Sequence, residues 1–221
     1  MNASPHRQRG VSLLIALLML LVITTLALSS LREASMEAKM TGNRALLNDL
    51  QNSADSALRE AEFRFYGAGG KQELLEKLEP TARNCRKTNQ LKSNGINLPC
   101  LLNFAESELA SLHKTPLLAL KNKDASKGKP LYSQSAANDA DLLWMPYRGL
   151  SAAEPSQGLY PAYWNTTLIR SLNVEYGQEL EGKGTYLYLI NATSSLDEST
   201  EDSYRATLQS TISNIYIGLN N

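Results

Sequence analysis

The longest pattern in the chain is an uncharged apolar run, Val11–Leu31, followed by a polar stretch that keeps helical spacing. The run contains no Asp, Glu, Lys, Arg or His, and as a helix it would span about 31 Å, enough to cross the hydrocarbon core of a bilayer. Apolar residues then recur at intervals of three, four and seven, which predicts an amphipathic helix continuing to about Tyr66. The apolar stripe of this helix comprises Met36, Met40, Leu47, Leu50, Ala54, Ala57, Leu58, Ala61 and Phe65.

The C-terminal third changes from helical to alternating spacing. Strands are predicted at Thr166–Tyr176, Thr185–Ala192 and Tyr204–Ile212. The second strand shows little polar alternation, so we expect both of its faces to be covered. Short connections favour an antiparallel sheet within residues 163–217, with one apolar face against the amphipathic helix. The predicted fold class is therefore α+β.

The middle of the chain carries shorter patterns. Helices are predicted at Lys71–Leu78 and Leu101–Leu112, whereas Lys121–Pro130 is expected to be a solvated loop because it is polar and rich in lysine. Aromatic residues stand beside prolines within Asp139–Trp164. We expect them to close the edge of a core, and a recognition surface is the alternative.

Two cysteines, Cys85 and Cys100, enclose a polar segment. If this part of the chain lies outside the cytoplasm, their even number predicts one disulfide, and two unpaired thiols are the alternative. Closing a loop of about 15 residues would stabilise the fold by about 3 kcal/mol on the chain-entropy model. Two cysteines without nearby histidines make a poor zinc site.

The remaining composition argues against several classes of function. The chain has 22 basic and 22 acidic residues, which gives no basic surface for nucleic acid. Neither catalytic activity nor a cofactor is expected, because no catalytic or nucleotide-binding motif is present and His113 is the only histidine beyond the first ten residues. The acidic residues within 197–202 could bind calcium but lack the spacing of a known loop, so a solvated connector is favoured.

A basic decapeptide ending in Gly10 precedes the apolar run and leaves three interpretations open. A secretory signal peptide has an apolar run of about 7–15 residues, which is shorter than this one. A plain membrane anchor fits the length, and Arg7 and Arg9 would keep its N-terminus in the cytoplasm. The third interpretation is a type IV prepilin leader, because the order Gly10-Val11-Ser12-Leu13-Leu14 resembles the prepilin processing site.

Further segments extend this resemblance. Leu31-Arg32-Glu33, Lys39–Arg44 and the Ala-rich Gln51–Glu62 are similar in order to the N-terminal region of PilX-type minor pilins, and the last two strands resemble their closing strands. The resemblance implies the pilin fold, in which a long N-terminal helix packs on a C-terminal antiparallel sheet. It also implies cleavage after Gly10 and methylation of Val11. The implied segments are a leader (1–10), a transmembrane and filament-core helix (11–31), its amphipathic continuation (32–66) and a globular domain (67–221).

The same resemblance implies a function in assembly. The implied function is that of a minor pilin, which primes or joins assembly of the type IV pilus and thereby affects twitching motility and adhesion. The implied partners are other minor pilins, the major pilin, the inner-membrane assembly platform, prepilin peptidase and membrane lipid. The helix would lie in the inner membrane with its N-terminus in the cytoplasm and the domain in the periplasm, until the subunit enters the fibre at the cell surface.

One position departs from most pilins. Ile15 occupies the fifth position of the mature helix, where most pilins carry Glu. This difference favours a subunit near the tip over a repeating shaft subunit. Two alternatives remain open, a type II secretion pseudopilin and a single-span anchored periplasmic binding protein.

Overall fold

A single long helix, α1 (Arg9–Tyr66), forms the N-terminal part of the protein. The computed structural model describes residues 9–66, 84–86, 89–91, 97–123, 142–149, 160–172, 183–197 and 204–216. The helix predicted at Lys71–Leu78 and most of the acidic 197–202 segment lie outside these residues. The chain divides into two compact units, Met1–Leu46 and Leu47–Asn221, so the two parts of α1 are described separately.

The first unit consists, in its described part, of α1 from Arg9 to Leu46, which contains the uncharged run Val11–Leu31. Every large apolar side chain between Val11 and Leu31 is more than half exposed to solvent. This helix is long and apolar enough to cross a membrane. Met36 and Met40, which belong to the predicted apolar stripe, are also exposed. The first turns of the stripe are thus exposed, as far as the described residues show.

The second unit begins with the remaining part of α1, which packs on the sheet. From Leu50 onward the predicted stripe is buried, through Ala54, Ala57, Leu58, Ala61 and Phe65. The ring of Phe65 lies with its centroid 5.0 Å from that of Tyr188, which stands on the central strand β4 (Gly184–Ser195). The predicted α+β arrangement of a long helix on a sheet is therefore confirmed.

In the part of the chain that the structure describes, the sheet contains three long strands and two short ones. The long strands β3 (Ala162–Leu172), β4 and β5 (Arg205–Tyr216) are consecutive and antiparallel, as predicted. Strand β3 starts four residues before the predicted position, and β4 and β5 are longer than the sequence pattern indicated. The short strands β1 (Leu101–Leu102) and β2 (Met145–Pro146) both pair with β3. The predicted antiparallel order of the three long strands is confirmed, and the short strand β1, which is parallel to β3, makes the sheet mixed.

Two predictions in the middle of the chain were wrong in part. Leu101–Leu102 is strand β1 instead of the start of a helix, because its backbone pairs with β3. The helix that follows, α2 (Glu106–Lys114), starts after Ala105, whose N–H donates to the Glu108 carboxylate at 2.9 Å. The next helix, α3 (Pro116–Lys123), extends into the region predicted as a loop, and residues 124–130 lie outside the described part of the chain.

The central strand β4 is covered on both faces, as its lack of alternation predicted. Tyr188, Ile190 and Ala192 lie on the face that α1 covers, and Asn191 lies on the opposite face. Helix α2 approaches that opposite face, where the backbone carbonyl of Leu112 accepts a hydrogen bond from a side chain of β5. Of the aromatic residues near the prolines, Trp144, Tyr163 and Trp164 are buried in the core, as the favoured interpretation predicted, whereas Tyr147 and Tyr160 are half-buried.

Candidate functional site

The first candidate surface is the uncharged segment of α1 between Val11 and Leu31. Gly10 and Val11, the residues of the predicted cleavage site, both lie within this helix, and Ile15 is 51% exposed. Moving an apolar helix of this kind from lipid into a bundle of packed helices costs little free energy, because both environments are apolar. The helix also carries no charge that would have to be desolvated. It can therefore serve as a membrane anchor or as a helix–helix contact surface.

A buried carboxylate fixes the other part of α1 to the domain. Glu60 Oε1 accepts hydrogen bonds from Trp164 Nε1 at 3.2 Å and from the Arg64 guanidinium at 3.1 Å. Glu60 Oε2 accepts from the backbone N–H groups of Arg148 at 2.9 Å and Gly149 at 2.8 Å. Since an ionised carboxylate has about four acceptor positions, this one is fully satisfied. Helix α1, strand β3 and the turn after β2 therefore meet at one side chain.

The turn after β2 requires a glycine at this point. Gly149 has φ of 60°, in the left-handed region that L-residues with a side chain rarely adopt. That conformation allows two consecutive N–H groups to converge on the same carboxylate oxygen, as in the backbone concavities that bind anions. A residue with a side chain at this position would disturb the Glu60 site without touching the helix.

Arg64 extends the Glu60 site toward the cysteine-bounded loop. Its guanidinium donates to Asn89 Oδ1 at 2.6 Å, to the Asn89 carbonyl at 3.1 Å and to the Leu98 carbonyl at 3.2 Å. It also lies 4.8 Å from the centroid of the Trp164 ring. Asn89 in turn donates to the carbonyls of Asn84 and Leu98. The guanidinium thus organises a loop that is distant from α1 in sequence.

The buried Glu60–Arg64 ion pair fixes the position of α1 more than it adds to the free energy of unfolding. The Glu60 and Arg64 side chains are 2% and 1% exposed. Burial lowers the pKa of Arg64, and the charge and hydrogen bond of Glu60 oppose that effect. Desolvation offsets much of the attraction in a buried ion pair, whereas removing one partner is strongly destabilising. A one-residue slip of α1 would rotate the pair by about 100° out of its site, so the contacts fix the helix register.

The Cys85–Cys100 disulfide predicted from the sequence is present in the structure. Both cysteines are buried, and their backbones are held as well. The Cys85 carbonyl accepts from the Leu142 N–H at 2.8 Å, and the Cys100 carbonyl accepts from the Thr166 hydroxyl at 2.6 Å. The disulfide therefore anchors both ends of the loop that supplies Asn89 and Leu98 to Arg64.

A row of amide side chains crosses the sheet on the face opposite α1. Asn191 donates to Asn165 Oδ1 at 3.0 Å and accepts from Gln209 Nε2 at 2.7 Å, and Asn165 donates to the Leu143 carbonyl. The three residues occupy paired register positions on β3, β4 and β5. Asn165 and Asn191 are fully buried, and their amides are committed to this row.

Replacing Asn191 by alanine is expected to lower the free energy of unfolding by about 1–3 kcal/mol, because buried polar groups of its neighbours lose their partners. Urea unfolding followed by tryptophan fluorescence measures the effect. Gln209→Ala is the control, since it removes one end of the same row at an exposed residue and should have a smaller effect. Equal effects of the two substitutions would show that the central amide contributes no more to stability than the amide at the end of the row.

The other residues singled out in the sequence are not brought together. His113 is exposed in the last turn of α2. Asp197 is exposed at the end of β4, and residues 198–202 lie outside the described part. Among the residues that the structure describes, no group of three or more His, Cys, Asp or Glu side chains could hold a metal ion.

The sequence reasoning missed Glu60 and Arg64 as a site. One signal was available, because Arg64 stands three residues after Ala61 and seven after Ala57, in the middle of the apolar stripe. A charged residue in a stripe of this kind needs a buried partner, and Glu60 is one helical turn away.

The N-terminal segment of the chain matches a known protein family. Residues 9–59 match the family model of the PilX N-terminal domain. This match confirms the resemblance inferred from the sequence and supports a type IV pilus-related minor pilin, for which interaction with other pilus components is implied. The match ends one residue before Glu60, so the buried site lies just outside it. Comparisons with curated proteins and with solved structures gave no match.

Proposed function

We propose that this protein is a minor pilin that primes or joins assembly of a type IV pilus, near the tip of the fibre. The observation that carries the proposal is the PilX N-terminal match on a helix whose residues Val11–Leu31 are uncharged and exposed. Such a helix is retained in the inner membrane as a single span. It then leaves lipid for a bundle of pilin helices without exposing apolar surface to water.

The two halves of α1 have different roles in this proposal. The first half of α1 provides the assembly contact, and the Glu60–Arg64 site holds the second half in one register on the sheet. The proposed partners are the major pilin, other minor pilins, the inner-membrane assembly platform and prepilin peptidase. The domain faces the periplasm and later the cell exterior. Effects on twitching motility and adhesion follow from the number of fibres, with no catalysis by the protein.

The proposal predicts proteolytic processing at Gly10. Protein purified from membranes of its own organism should start at methylated Val11 and lack the first ten residues. Gly10→Val should leave the leader in place, because the bulkier residue obstructs the peptidase, whereas Ser12→Ala should be processed normally. Intact mass and N-terminal sequencing measure both outcomes. A wild-type chain that starts at Met1 would favour the plain anchor and contradict the pilin proposal.

The tip location has its own test. We expect immunogold labelling of isolated fibres at one end, because Ile15 lacks the carboxylate that most pilins carry at this helix position. Antibodies to the major pilin serve as the control and should label along the shaft. Regular labelling of this protein along the shaft would overturn the tip location and leave the processing prediction untouched.

A further inference from the structure

A cavity of about 510 Å³ lies between the connection of α2 to α3 and strand β5. Its volume is within the range of about 300–1,000 Å³ typical of small-molecule sites. It stands on the sheet face opposite α1, and Gln209, the exposed end of the amide row, forms part of its wall. None of the lining residues belongs to α1 or to the Glu60–Arg64 site.

Two basic side chains line part of the cavity. Lys114 and His113 are both exposed in the last turn of α2, and within the described part of the chain neither side chain makes a hydrogen bond or an ion pair. None of the described residues that line the cavity is an Asp or Glu. An ammonium group presents three donors and no acceptor. The Lys114 ammonium can therefore donate to an anionic ligand in the cavity.

The floor of the cavity is fixed by hydrogen bonds. Gln209 Nε2 donates to Asn191 Oδ1 at 2.7 Å and to the Leu112 carbonyl at 3.4 Å, which holds the amide group in one orientation. Thr207, two residues earlier on β5, also lines the cavity. A ligand would therefore meet a preformed polar surface and pay little for ordering it.

Another part of the cavity wall is apolar. Leu117 and Leu118 in the first turn of α3 line it, and Leu118 is 54% exposed. Covering an exposed leucine is favourable because apolar area is removed from water. An inorganic anion would contact the cationic wall and leave the leucines exposed. A ligand that uses both walls needs an anionic head and an aliphatic body.

We propose that this cavity binds a small organic carboxylate, with its carboxylate at Lys114 and His113 and its aliphatic part against Leu117 and Leu118. The proposal goes beyond assembly and does not depend on it, since the cavity involves no residue of α1.

The test uses full-length protein in lipid nanodiscs, with empty nanodiscs as the blank. Equilibrium dialysis compares 4-methylpentanoate, its neutral amide, acetate and inorganic phosphate at millimolar concentrations. We expect 4-methylpentanoate to bind at least about tenfold more tightly than each of the others. Equal binding of the amide would overturn the role of charge, equal binding of acetate or phosphate would overturn the apolar wall, and a lack of saturable binding would overturn the site itself.

Two substitutions assign the binding to this cavity. Lys114→Gln and Leu118→Ser are each expected to weaken binding of 4-methylpentanoate about tenfold. Arg170→Gln removes an exposed positive charge on β3, outside the lining, and is the matched control. Thermal unfolding of each variant checks that the fold is intact. If Lys114→Gln and Arg170→Gln bind alike, the proposed site is wrong.

Discussion

Replacing Glu60 by glutamine is expected to lower the free energy of unfolding by about 3–5 kcal/mol, the range found when one partner of a buried ion pair is removed. The substitution keeps the shape of the side chain and changes its hydrogen bonding. Glu60 accepts four hydrogen bonds through its two oxygens. Glutamine has one acceptor oxygen, and its amide nitrogen would face either the Arg64 guanidinium or two backbone N–H groups, so donors would meet donors.

Asp55→Asn is the matched control for this substitution. Asp55 and Arg59 form the same i, i+4 pair on the same helix, at 2.7 Å, but both side chains are solvent-exposed. Exposed pairs contribute little to stability, so the unfolding midpoint should stay unchanged within error. Urea unfolding of the full-length protein in detergent measures both variants, followed by the fluorescence of the two buried tryptophans, Trp144 and Trp164. If the two variants unfold alike, burial of the Glu60 pair has no energetic role.

The elements that sequence predicted well are those with long local patterns. The uncharged run, the apolar stripe and the alternation in β5 each depend on neighbours a few positions away, so the chain alone specifies a helix or a strand there. The apolar stripe did not predict at which residue burial of the helix begins. Leu50 is buried and Leu47 is 46% exposed although they fit the same spacing, because the difference depends on tertiary packing.

The elements that sequence did not predict depend on distant partners. Strands β1 and β2 have two residues each, too few to show alternation, and they form only because β3 offers backbone groups to pair with. The Glu60 site likewise depends on residues that are distant in the sequence. Its partners Arg148, Gly149 and Trp164 stand 88, 89 and 104 residues further along the chain. No spacing rule connects them, so the carboxylate could be suspected from the stripe but its contacts could not be assigned.

Reduction of the Cys85–Cys100 disulfide is expected to lower the free energy of unfolding by about 3 kcal/mol, because the unfolded chain regains the freedom of a loop of 15 residues. A second contribution comes from Arg64. Asn89 and Leu98, which accept its hydrogen bonds, both lie inside the ring that the disulfide closes. Opening the ring loosens the acceptors of a buried guanidinium, so the disulfide and Arg64 should be energetically coupled.

A thermodynamic cycle measures this coupling. Urea unfolding with and without reductant is compared between the wild type and Arg64→Met, and the Cys85→Ala/Cys100→Ala double variant controls for effects of the reductant on other groups. Reduction should destabilise the wild type more than Arg64→Met, by about 0.5–3 kcal/mol, since only the wild type has a buried charge that depends on the loop. Additive effects would mean that the disulfide acts through chain entropy alone. A coupling within the expected range would show that the oxidised loop is part of the site that holds the second half of α1 in register on the sheet, so that disulfide formation and packing of this half on the sheet stabilise each other.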